Sequence, residues 1–173
     1  TITKLVVWQI DEIGKRTTID LGWGWEDICG KSGPLISPDV FREHVVPGYE
    51  AINDALKRNG ADLYLVDCDG YIEPLIADWL AGGVNVMFPL EIGTWNADSM
   101  ALRKKFGPQL KFVGGFNKLV LEKEHSDIDA EIERRRPMMA EGGYIPMPDH
   151  LITPDTPLDN YRYYLQQMKQ LRV

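Results

Sequence analysis

The sequence has little cysteine, little histidine and no excess of positive charge. It holds two cysteines, Cys29 and Cys68, in 173 residues, far apart and without a CxxC spacing. That rules out a disulfide framework and leaves two reduced thiols as the expectation. The net charge of −7 leaves no basic face for phosphates, so nucleic acid is not expected as a partner. No apolar run approaches the roughly 18 residues of a membrane span, and no signal-peptide pattern is present. A cytoplasmic location without membrane association is therefore expected. A GxGxxG loop is missing too; "VGGF" (113–116) lacks the third glycine, which argues against a dinucleotide-binding fold. The chain opens "TITKLVVW" without a methionine.

What is present is ordinary for one domain with a real core: 44% hydrophobic and 26% charged residues. Strand and helix signals alternate. Strands are expected over 17–28, 61–70, 84–91, 110–117 and 144–150. The run "ADLYLVDCDG" (61–70) has the continuous apolar character of a strand buried on both faces. Between them, a long helix within 32–60 is expected to start at Ser37–Pro38 and kink at Pro47. Further helices are expected over 71–83, over 96–108 with Asp98 as cap, over 126–143 with Ser126 as cap, and over 156–173. Five βα units in a row imply parallel strands with crossovers of one hand. The expected fold is α/β: the C-terminal portion of a (β/α)8 TIM barrel, about five βα units, with residues 1–173 forming one partial domain. A closed barrel needs about 250 residues.

In such barrels the chemistry sits at the C-terminal strand ends. Here those ends read Glu26–Asp27, Asp67–Cys68–Asp69, Glu91, Asn117 and Asp149–His150. A carboxylate at the end of an apolar strand needs a partner, a metal or a raised pKa. Side-chain alternation puts Asp67 and Asp69 on one face and Cys68 on the other, packed outward. Asp27 and Asp69 each also have an ordinary reading as turn or cap residues, and Glu91 could serve a neighbouring loop. Of the three histidines, His44 on a helix and His125 in a charged loop are expected to be solvated or packed. His150, between two proline-rich turns, is the candidate for a pocket. Trp79 on its helix belongs to the core, as Trp95 could, whereas Trp23 or Trp25 could line a pocket. Arg134–Arg135–Arg136 are expected to form a solvated helix face with Glu131 and Glu133.

Four stretches carry a family resemblance: "GPLISPDVFREHVVPGY", "VDCDGYIEPLIADWLAGGVNVMFPLE", "LKFVGGFNK" and "GGYIPMPDHLITPDTPLDNYRYYL". Their order and spacing resemble the uroporphyrinogen decarboxylase superfamily, which includes the decarboxylases and related corrinoid-linked methyltransferases. The resemblance implies a (β/α)8 barrel of which this chain is the later part. It aligns "HLITPDTPLDN" with the loop of the decarboxylases' active-site histidine, at His150. The family's arginine-containing substrate motif and its principal catalytic aspartate lie in the N-terminal part and have no match here. An N-terminal segment or a second chain is thus expected to complete the barrel, and this chain alone is expected to be inactive.

Three functions follow as expectations. The first is a carboxy-lyase without cofactor, acting on a carboxylated tetrapyrrole or related small molecule. Asp67 and His150 would be catalytic, with Asp27, Asp69, Glu91 and Asn117 binding substrate. The second is a methyltransferase working with a corrinoid protein. The family's methyltransferases hold zinc through His-x-Cys and a later Cys; the corresponding residues here are Asp67, Asp69 and His150, which would suit a harder divalent metal. The third is a degenerate barrel that binds without catalysing.

Overall fold

The structure is a computed structural model that describes residues 2–171. In chain order it contains α1 (Ile2–Gly14), β1 (Leu21–Trp25), a small hairpin of β2 (Cys29–Gly30) and β3 (Gly33–Pro34), α2 (Pro38–His44) and α3 (Val46–Arg58). β4 (Leu63–Asp67), a 3-10 turn (Glu73–Leu75), α4 (Ile76–Ala81), β5 (Val86–Leu90), α5 (Ile92–Trp95) and α6 (Ser99–Phe106) follow. The chain continues through β6 (Lys111–Phe116), a second 3-10 segment (Lys118–Glu122), α7 (His125–Glu141), β7 (Tyr144–Pro148) and α8 (Leu158–Gln170). The last two residues of the helix expected over 156–173 lie outside the described residues.

β1, β4, β5, β6 and β7 form one parallel sheet in that order. Each expected βα unit is therefore present, and each strand pairs with the next in the chain. The outer edges of β1 and β7 have no strand partner among the described residues. No described helix is long and apolar enough to cross a membrane.

The two faces of the sheet differ. On β1, Gly22 faces the helices, where a methyl group would overlap Leu56 of α3. Leu21, Trp23 and Trp25 point to the other face and stay exposed. On β4, Tyr64, Val66 and the following Cys68 are buried, and Tyr64 packs against Tyr49 of α3. Trp79 of α4 is fully buried with its ring edge-on to Phe41 of α2, as expected of a core residue. A second cluster of Phe116, Val120, Leu121, Ile128, Ile132 and Tyr164 secures α7 and α8.

Local chemistry explains the starts of α2 and α6. Ser37 Oγ accepts from Val40 N at 3.3 Å. Pro47 falls in the first turn of α3, so the single kinked helix expected here is two helices divided at Val45. Asp98 Oδ1 accepts from Met100 N and Ala101 N at 2.9 and 3.1 Å. Asp98→Ala is expected to cost about 1 kcal/mol of stability, measured by urea unfolding. α7 starts one residue before Ser126, at His125, and its first turn has no side-chain cap. Arg135 corrects the reading of a wholly solvated arginine face. It is 6% exposed and pairs at 3.1 Å with Glu131, itself 2% exposed.

Several elements were not anticipated from the sequence, α5 and the second 3-10 segment among them. α1 packs on α3, with Asp11 bridging Arg58 (2.6 Å) and Asn59 (2.9 Å). The hairpin of β2 and β3 folds the "CGKSG" loop back over the segment after β4, where Tyr71 N donates to Gly30 O at 2.9 Å.

Candidate active site at the sheet's carboxyl edge

Parallel strands end together, so the residues that follow them gather at one edge of the sheet. The register pairs Trp25 with Asp67 and Asp67 with Phe88. A cavity of about 610 Å³ opens there, lined by Trp23, Trp25, Asp27, Asp67, Asp69, Phe88, Met147, His150 and Tyr161 among others. Four of the residues expected at the site, Asp27, Asp67, Asp69 and His150, thus meet in one pocket. Trp23 and Trp25, 64% and 79% exposed, form one wall. Trp23 stands edge-on to Phe88 at 5.7 Å between ring centroids.

His150 Nε2 lies 3.4 Å from Asp69 Oδ2. Asp67 is the most perturbed acid of the pocket. Burial, and then the negative charges of Asp69 and Asp27, raise its pKa above the ordinary carboxylate value; the Trp23 indole and His150 offset part of this. Cys68 points away from the pocket into the core, as side-chain alternation requires.

Glu91 and Asn117 do not line this cavity. Both line a smaller cavity of about 180 Å³ beside the main one. Glu91 is buried and its Oε2 accepts from Gly70 N at 2.6 Å, so it holds the loop that carries Asp69. Asn117 Oδ1 caps the segment after β6 by accepting from Leu119 N at 3.0 Å. Of the other two histidines, His44 is exposed, and His125 opens α7 with its ring stacked on Tyr163.

The metal set read from the sequence was Asp67, Asp69 and His150. Among the described residues, those whose ligand atoms all lie within 4.8 Å of one another are instead Asp69, Glu91 and His150. Glu91 takes the place of Asp67 because its strand end faces the Gly70 loop. Two carboxylates and one imidazole fit a hard or borderline divalent ion and supply no thiolate.

Asp149, placed at a strand end by the sequence but given no role there, is a positioning residue. It is 2% exposed. Its Oδ2 accepts from Ile92 N (2.8 Å) and Gly93 N (2.9 Å), and its Oδ1 from Lys118 N (3.0 Å). One carboxylate therefore joins the loops after β5, β6 and β7. The "HLITPDTPLDN" stretch is likewise architectural beyond His150. Thr153 bonds Glu122 and Thr156, and Asn160 Nδ2 donates to Leu121 O and Lys123 O. Those contacts seat α8 and the His150 loop on the 3-10 segment after β6.

No curated protein sequence matches the chain significantly. Its fold matches a solved "methyltransferase from Methanosarcina mazei" with a TM-score of 0.68 at 16% identity, over 97% of this chain and 47% of that one. The chain thus spans about half the length of this structural relative, and an identity so low speaks for the fold alone. The sequence profile described as Uroporphyrinogen decarboxylase (URO-D) matches residues 25–171. That match takes in every pocket residue except Trp23, from Trp25 on β1 to Tyr161 on α8, and by it the chain belongs to the uroporphyrinogen decarboxylase (URO-D) family.

Proposed function

We propose that this chain supplies one half of the active site of a decarboxylating barrel enzyme, and that its substrate is a carboxylated, pyrrole-like ring compound. The observation that carries the proposal is the convergence of Asp67 and His150 with the Trp23, Trp25 and Phe88 rings in one pocket. A flat ring packs on the aromatic wall. Asp67, with its raised pKa, gives a proton to a ring carbon as general acid. The ring becomes cationic, and the carboxylates of Asp67, Asp69 and Asp27 stabilise that charge. The bond to the departing carboxylate then breaks, its electron pair returns to the ring and CO2 leaves. His150, oriented by Asp69, holds the substrate carboxylate. No lysine or arginine lines this pocket, so further carboxylates of the substrate would be held by the remainder of the barrel. We take that remainder to be an N-terminal segment or a second chain. The test is to give uroporphyrinogen to the assembled protein and measure released CO2 and products with fewer carboxylates. Absence of both removes the tetrapyrrole proposal.

The Asp69, Glu91 and His150 cluster favours a second possibility, methyl transfer in concert with a corrinoid protein. These three residues would hold a divalent ion, which would supply Lewis acidity at the pocket floor. Elemental analysis of the assembled protein would show about one metal per chain, lost in His150→Ala. A metal-free protein argues against it.

A further inference from the structure

The two cysteines, distant in sequence, are neighbours in the fold. The segments after β1 and β4 run side by side, bracketed by Glu26 N donating to Asp67 O (2.8 Å) and Tyr71 N donating to Gly30 O (2.9 Å). Cys29 and Cys68 lie inside that bracket. Both are free and both belong to one core cluster, 9% and 1% exposed. Each thiol is a near neighbour of the other, and Cys68 Sγ donates to Asp69 O at 3.5 Å. Gly70 keeps the two segments close. It has φ +85°, and a Cβ there would lie 2.6 Å from Gly30 O and 2.9 Å from Cys29 O.

We propose that Cys29 and Cys68 are an oxidation site, closing to a reversible intrachain disulfide when the protein meets a peroxide. The Cys68 sulfur, deprotonated, attacks one peroxide oxygen. The O–O bond breaks, hydroxide leaves, and Cys68 becomes a sulfenic acid. The Cys29 sulfur then attacks the Cys68 sulfur, the S–O bond breaks, and the oxygen leaves as water. Two thiols and one hydrogen peroxide give one disulfide and two waters; the sulfurs lose two electrons and the peroxide gains them. Cys29 is the more open of the pair and sits on a hairpin of two residues per strand, so local opening of a small element admits the oxidant.

The bond would draw the sulfurs to about 2.05 Å and tie the hairpin to the end of β4. Cys68 stands between Asp67 and Asp69, so both pocket carboxylates move with it. Oxidation at the core face is thereby transmitted to the pocket face through a single residue.

The experiment treats the native, assembled protein with hydrogen peroxide at concentrations that leave its methionines unoxidised. The chain is then unfolded and its thiols are counted by alkylation. Expected is a fall from two thiols per chain to none, loss of the mass of two hydrogens, and recovery of both thiols with dithiothreitol. In C29S, Cys68 should instead be trapped by dimedone as a sulfenic acid. Two thiols still alkylatable after treatment overturn the proposal, as does a reducible link between chains instead of within one. The thiol count on the unmutated protein decides the matter even where C29S folds poorly.

Discussion

Replacing Asp67 by Asn should lower turnover in the assembled enzyme by about 10²–10⁴-fold, the range typical of losing a positioned proton donor. The amide keeps the size and pocket position of the side chain but cannot give up a proton. The substrate's dissociation constant should change little, since the aromatic wall of Trp23, Trp25 and Phe88 is untouched. The pH dependence supplies an independent check. On the proposed mechanism Asp67 acts in its protonated form, so the wild-type rate should fall as pH rises through its raised pKa, while the residual rate of Asp67→Asn stays flat there. Stability should follow the same group. Its folded pKa exceeds the reference of 3.8, so the folded state binds more protons than the unfolded state above that pH. Unfolding free energy therefore declines as pH rises from about 4 through the folded pKa. Asp67→Asn should relieve that decline at neutral pH and show no advantage in acid, as measured by urea unfolding across pH. Turnover within a few-fold of wild type would remove Asp67 from the chemistry.

Asp149→Ala should be the most damaging single substitution for the structure around the pocket. It strips the acceptor from Ile92, Gly93 and Lys118 N–H groups at once. Losing three charge-assisted bonds and leaving their donors without a partner should cost about 3–5 kcal/mol. At 2–4 °C per kcal/mol for a domain of this size, the melting temperature should fall by roughly 10 °C. Asp149→Asn should recover part of the loss, because its single carbonyl oxygen can still accept from one or two of the three donors. Calorimetry on both variants would check the order. A loss below about 1 kcal/mol for the alanine variant would mean that water replaces the carboxylate.

The strands were the legible part of this sequence because the central ones, Leu63–Asp67 and Val86–Leu90, are mostly buried and read as apolar runs. Once the strands were in place, alternation separated Asp67 and Asp69 from Cys68, and the strand-end rule brought His150 to the same edge. The rule had less to say about Glu91 and Asn117. Both follow strands, yet their side chains turn to nearby backbone N–H groups, a choice made by loop geometry and not by residue type. The role of Asp149 stayed hidden for a related reason: its donors are 57, 56 and 31 residues away, beyond any local pattern. The same holds for the cysteines, which only the pairing of the β1 and β4 segments brings together. α1 precedes the βα repeat from which the fold is legible, and none of its residues is buried; Ile2, Leu5, Trp8 and Ile13 stay exposed.

β1 is at once a sheet edge without a strand partner among the described residues and the strand that carries the pocket's tryptophan wall. On the proposed reading, a piece that covered that edge and a ligand that filled that pocket would meet on the same residues, Trp23 and Trp25. Their free energies would then be coupled, and coupling is reciprocal. If the completing piece raises the pocket's affinity for a ligand by some factor, the ligand raises the affinity between the pieces by the same factor. A ligand for this pocket would then be recognisable without any assay of chemistry, as a compound whose addition tightens barrel assembly at fixed protein concentration.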